Sequence, residues 1–137
     1  MSERLKGKVA LVIGAGTEGG GWGNGKAAAV CFAREGARVI AADIQLEAAG
    51  ETADVIRSEG GDCTACQADV SDARDCRRLV DACLDRYGRV DILHNNVGIE
   101  LPGGLEGTTE EMWDRTLAVN LKSIFLLCKE VVPHMER

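Results

Sequence analysis

Residues 9–43 read VALVIGAGTEGGGWGNGKAAAVCFAREGARVIAAD, and the order of their parts decides the fold. An apolar run, Val9 to Ile13, leads into a loop with seven glycines between Gly14 and Gly25. A helical stretch from Lys26 to Arg34 follows, then a second apolar run, Val39 to Ala42, closed by Asp43. Strand, glycine loop, helix, strand and acidic residue make a mononucleotide-binding unit. A diphosphate needs backbone N–H groups at close range, and side chains on the loop would block that approach. The helix N-terminus adds roughly half a positive charge facing the phosphates. A carboxylate at the end of the second strand accepts hydrogen bonds from both ribose hydroxyls of an adenosine and repels a 2′-phosphate. Asp43 therefore points to NAD rather than NADP.

The glycine spacing is irregular. A GxGxxG is present as Gly14, Gly16 and Gly19, and a GxxxGxG as Gly19, Gly23 and Gly25. The acidic residue is expected about 20 residues beyond the fingerprint. Asp43 lies 29 residues after Gly14 and 18 after Gly25. On that spacing Gly14 leaves the strand, Gly23 and Gly25 start the helix, and Thr17 to Trp22 form an extra bulge. Trp22 either covers the cofactor or anchors the loop.

Working outward, the 137 residues suffice for one domain and not comfortably for two. A hydrophobic fraction of 45% and a charged fraction of 28% are ordinary for a soluble globular chain. Net charge is −6 with no block of Lys or Arg, which argues against a nucleic-acid or anionic-membrane partner. No apolar run near the start is long enough for a signal-peptide core or a membrane span, so the expected address is the cytoplasm. The six cysteines, at 31, 63, 66, 76, 83 and 128, lack the paired-knuckle spacing of a zinc site and are expected to be buried free thiols, with no metal bound.

The remaining elements alternate. Helices are expected over Asn24–Glu35, Leu46–Ser58, Asp72–Tyr87 with Ser71 or Asp72 as N-cap, and one long segment from near Thr109 to about Met135. Strands are expected at Val9–Ile13, Arg38–Ala42, Cys63–Ala68 and Val90–Leu93. The order βαβαβαβα with right-handed crossovers gives an α/β, Rossmann-type doubly wound parallel sheet in three layers. Strand order is then 3-2-1-4, with the ligand crevice between strands one and four. His94 reads as a strand-end residue, His134 as solvated, and Trp113 as a helix residue packed under the loop.

Five features in order resemble the N-terminal, cofactor-binding part of the classical short-chain dehydrogenase/reductase family. These are the glycine loop after strand one, with Ile13 where Thr is usual; Asp43; Asp69-Val70 after strand three; Asn95-Asn96-Val97-Gly98, similar to the family's NNAG; and Asn120 in LAVNLKS. The resemblance implies hydride transfer between NAD and an alcohol or carbonyl substrate. It implies cofactor contacts from Gly14, Gly16, Gly23, Asn24, Gly25, Asp43, Ile44, Asp69, Val70, Asn96, Val97 and Gly98, and a proton-relay role for Asn120. The family's catalytic Ser and YxxxK pattern are not found: the one tyrosine, Tyr87, has no Lys at the required spacing. The resemblance therefore implies an incomplete dinucleotide-binding domain without turnover. A non-catalytic dinucleotide-binding or interaction module, or an inactive truncated product, is the alternative. It also implies an uncovered edge at strand four and an apolar face on the last helix, including Ile124, Phe125, Leu127 and Val131, that pairs with a second copy. The loop from Ile99 to Gly107 is placed near substrate but suggests no substrate class.

Overall fold

The computed structural model describes residues 2–137. Strand β1 (Val9–Ile13) is followed by α1 (Asn24–Arg34), β2 (Arg38–Asp43), α2 (Leu46–Ser58), β3 (Cys63–Gln67), α3 (Ala73–Tyr87) and β4 (Ile92–Asn95). Then come a one-turn helix α4 (Gly104–Gly107), α5 (Glu110–Leu117), a π-helical turn (Ala118–Lys122) and α6 (Ser123–Met135). The four strands form one parallel sheet in the order β3-β2-β1-β4, with Leu11 paired to Ile40 on one side and to Leu93 on the other.

All five residues of β1 are buried because both faces of the central strand are covered. Alternate side chains go to opposite layers. Val9, Leu11, Ile13, Ile40 and Ala42 meet α3 and α6 through Leu79, Val80, Leu127 and Val131. Ala10, Val12, Val39 and Ala41 meet α1 and α2 through Ala29, Val30, Ala53 and Ile56. This three-layer α/β arrangement brings the carboxyl ends of all four strands to one rim. Among the described residues no helix is long and apolar enough to cross a membrane.

Several details depart from the sequence expectations. Strand β4 starts later than Val90 and runs two residues past Leu93. Its start is set by Asp91, whose carboxylate Oδ2 accepts the Val9 N–H at 2.8 Å. Its end follows the backbone ladder, which is indifferent to side-chain polarity and continues through His94 and Asn95 opposite Val12 and Ile13. The single long helix is instead two helices joined by the π turn. One residue is gained there, and the Ser123 hydroxyl donates to the Val119 carbonyl at 2.6 Å.

That gained residue reorients the last helix. Leu127 and Val131, expected to be exposed with Ile124 and Phe125, are fully buried against the sheet, whereas Phe125 remains 61% exposed. Truncating Leu127 to Ala is expected to destabilise the chain by about 2–5 kcal/mol, and Phe125→Ala by about 0.5 kcal/mol at most. Equal shifts of the urea midpoint in the two variants would contradict this packing. Trp113 is likewise exposed rather than packed under the loop, and His134 is half-buried rather than solvated. The cysteines are not uniformly buried either. Cys63, Cys76 and Cys83 are buried, Cys66 and Cys128 are half-buried, and Cys31, on the outer face of α1, is exposed. Burial pushes the Cys63 thiol up to about 12 and those of Cys76 and Cys83 to about 11.

Candidate functional site

A cleft of about 360 Å³ opens where the strands end, between β1 and β4. Its floor is made by backbone meeting backbone. Gly14 leaves β1 with φ +74°, a left-handed conformation that suits glycine, and a Cβ there would lie 2.4 Å from the Asn96 carbonyl oxygen. Gly25 sits in the first turn of α1, and its Cβ would lie 1.8 Å from the Gly14 carbonyl oxygen. No side chain therefore separates the end of β1, the start of α1 and the segment after β4. On the adjoining side, a Cβ on Gly16 would lie 2.4 Å from that of Ala48 on α2. The buried Thr52 hydroxyl donates to the Ala15 carbonyl at 2.6 Å, fixing the loop to the same helix.

Gly23 is the N-cap of α1, and no side chain caps the helix. Gly23, Asn24 and Gly25 line the cleft, so the first-turn amides have the local positive end of a helix dipole and no intrahelical acceptor. This is a donor set suited to a diphosphate. The extra bulge contains a short 3-10 turn at Glu18–Gly20. Trp22 does not line the cleft. The residue is 60% exposed, and the Lys26 ammonium lies 4.9 Å from its ring centre.

Asp43, the last residue of β2, has its carboxylate oriented by two backbone donors. Oδ2 accepts from the Gly16 N–H at 2.9 Å and Oδ1 from the Gln45 N–H at 3.0 Å. Each oxygen keeps acceptor capacity for a ligand hydroxyl. Ile44 lies beside it at the rim. Asp69 and Val70 form the wall after β3. Asp69 Oδ1 accepts from the Ser71 hydroxyl at 2.6 Å and the Ser71 N–H at 3.1 Å, while the Asp69 N–H donates to Asp75 Oδ2 at 2.8 Å. That last bond, more than the Arg78 guanidinium, holds the Asp75 carboxyl below its ordinary range.

The opposite wall follows β4. The Asn96 N–H donates to the Ile13 carbonyl at 3.1 Å, and Val97 and Gly98 continue along the cleft. Asn120 lies in the π turn. Its Oδ1 accepts the Ile99 N–H at 2.7 Å and its Nδ2 donates to the Ile99 carbonyl at 2.9 Å. Asn120 itself does not line the cleft; it clamps the wall from behind, while the neighbouring Val119 lines it. His94 is also outside the cleft, with its ring edge-on to Phe32 at 5.7 Å. Tyr87 does not line it either. Its hydroxyl donates to Asp62 at 2.8 Å, and burial pushes its pKa up.

All twelve residues expected to contact the dinucleotide line this one cleft. Sequence reasoning missed Glu18 and Arg115, which also line it. Glu18 lies in the bulge and accepts from the Gln45 side-chain amide at 3.1 Å. Arg115 reaches Ser71 from α5, a contact 44 residues apart in sequence that leaves no local signature.

The family model described as short chain dehydrogenase matches residues 8–137. The chain belongs to the short-chain dehydrogenase family. An uncharacterised oxidoreductase of Thermotoga maritima is 44% identical over 133 residues, covering 97% of this chain and 50% of that protein. A solved structure of a putative short-chain dehydrogenase/reductase from Burkholderia xenovorans is 51% identical, with a TM-score of 0.93 over 98% of this chain and 53% of that one. A hydroxysteroid dehydrogenase from Escherichia coli is 36% identical, with a TM-score of 0.90 over 97% of this chain and 54% of that one. The chain thus spans about half the length of the relatives it matches. The cleft lies at the point where strand order reverses, the ligand crevice of open α/β sheets.

Proposed function

We propose that this chain is the dinucleotide-binding half of a short-chain oxidoreductase that uses NAD with an alcohol or ketone substrate. The observation that carries the reading is the Gly14–Gly25 contact. It leaves a cradle with no side chain between strand and helix, uncapped amides on one side and the oriented Asp43 carboxylate on the other. The Asn24 and Gly25 amides bind the diphosphate, the Gly23 N–H being held by the Thr17 hydroxyl at 3.0 Å, and Asp43 takes the adenosine ribose. Asp69 and Val70 flank the adenine, and Asn96 to Gly98 form the wall toward the nicotinamide. A bound nicotinamide supplies the hydride chemistry. Asn120 acts by holding Ile99, keeping that wall at a fixed distance from the glycine loop.

Within these residues we assign no acid/base to the transfer. Tyr87 is engaged by Asp62 outside the cleft, and its raised pKa is opposite to what a base near neutral pH requires. The chain by itself therefore binds NAD without turning it over. The exposed stripe of Trp113, Leu117, Leu121, Ile124 and Phe125 along α5 and α6 supports pairing with a second copy. Titration calorimetry of the purified chain with NAD, alongside an absorbance assay for NADH with a panel of alcohols, tests the reading. Binding without turnover is expected. Steady NADH formation would overturn the proposed inactivity, and absence of any NAD binding would overturn the site.

A further inference from the structure

Among the described residues that line the cleft, Arg115 is the one cationic side chain, in a lining that also carries the carboxylates of Asp69, Asp43 and Glu18. Its position is unusual for a phosphate ligand. It lies at the wall after β3, with Nη1 3.2 Å from the Ser71 hydroxyl and 3.9 Å from Asp69 Oδ2. The Ser71 hydroxyl accepts from Arg115 and donates to Asp69 Oδ1 at 2.6 Å, and the Ser71 N–H adds a second bond to the same oxygen. Oδ1 is therefore used within the protein. Oδ2 has the guanidinium beyond hydrogen-bond distance as its nearest cation and is left with acceptor capacity toward the cleft.

The same helical segment holds both walls. Arg115 reaches the wall after β3, and Asn120, in the adjoining π turn, clamps Ile99 on the wall after β4. We propose that Arg115 is a positioning residue for the adenine end of the cleft: through Ser71 it fixes Asp69 so that Oδ2 is presented to an exocyclic amine. The inference rests on the dinucleotide reading above. An adenine offers an N6–H donor to that oxygen, whereas a hypoxanthine offers a keto oxygen that a carboxylate repels. Recognition of the base depends on the carboxylate being held in one rotamer, and that is what the Arg115–Ser71–Asp69 chain supplies.

The test compares NAD with nicotinamide hypoxanthine dinucleotide by calorimetry on the whole chain. Unaltered protein is expected to favour NAD by about tenfold or more, the effect of one hydrogen bond to a charged group. Arg115→Ala is expected to bring that ratio to within about twofold, and Arg115→Lys to restore part of it. Arg115 is exposed, so folding is little affected by its loss; Ser71→Ala breaks the chain at its middle with Arg115 intact and is expected to give the same collapse. An unchanged ratio in both Arg115→Ala and Ser71→Ala overturns the inference. So does an equal weakening of both dinucleotides, which would mean a merely structural part for Arg115. If unaltered protein binds NAD without discriminating the base, this inference fails and the dinucleotide site stands; if it binds neither, both fail.

Discussion

Replacing Gly25 by Ala is expected to destabilise the chain by about 3 kcal/mol and to abolish dinucleotide binding. The added methyl would begin 1.8 Å from the Gly14 carbonyl oxygen, which is backbone and not the end of a flexible side chain. Gly14 has little freedom to retreat. It holds a left-handed φ, its N–H donates to the Ala42 carbonyl at 2.9 Å, and its own Cβ position is blocked at 2.4 Å by the Asn96 carbonyl. The clash is relieved only by lifting α1 from β1, which opens the layer containing Val30 and Ala29. Gly50 is the control. It lies in α2 with nothing within 4 Å of its Cβ position, so Gly50→Ala is expected to stabilise by about 0.5–1 kcal/mol. Urea unfolding followed by circular dichroism reads both. A Gly25→Ala protein with an unshifted midpoint would mean that the helix does not approach the loop as described.

The contrast between these two glycines shows what the sequence alone conveys. The apolar runs, the glycine loop and the acidic residue were sufficient to place β1, α1 and β2 and to order the sheet, because each obeys a local rule of period or turn chemistry. The family resemblance, rather than these rules, supplied the twelve expected cofactor residues, all of which line the cleft. The distance to Asp43 correctly put Gly14 at the strand end and Gly23 and Gly25 at the helix start, but no local rule conveys that Gly14 and Gly25 meet backbone to backbone. Sequence reasoning also erred where a local rule is silent. The end of β4 follows ladder bonding past the apolar run, and the π turn adds a residue that shifts the buried face of α6 onto Leu127 and Val131. Arg115 and Glu18 were missed for the related reason that each acquires its partner only when distant segments meet, Ser71 in one case and Gln45 in the other.

Asp43→Ala is expected to weaken NAD binding by about tenfold to a hundredfold, the loss of about 1.5–3 kcal/mol for hydrogen bonds to a charged group. NADP binding is expected to weaken far less or to strengthen, because the substitution removes a negative charge from beside the position of a 2′-phosphate. The carboxylate also orders the protein. Its loss leaves the Gly16 and Gln45 N–H groups without their acceptor, which blurs the loop for both dinucleotides. Asp43→Asn separates the two contributions, keeping an acceptor oxygen while removing the charge; it should change the NADP-to-NAD ratio nearly as much with less loss of NAD. Neither variant alone should make NADP the better ligand. Glu18 remains in the same cleft, tethered by the Gln45 side chain two residues beyond Asp43, and no ion pair to either carboxylate occurs among the described residues. Full reversal is therefore expected only when Glu18→Gln is added to Asp43→Asn. Raising the salt concentration should narrow the discrimination by screening these exposed charges. Calorimetry with the two dinucleotides decides the matter, and tighter binding of NADP by the unaltered chain would show that the carboxylates at this rim do not choose the cofactor.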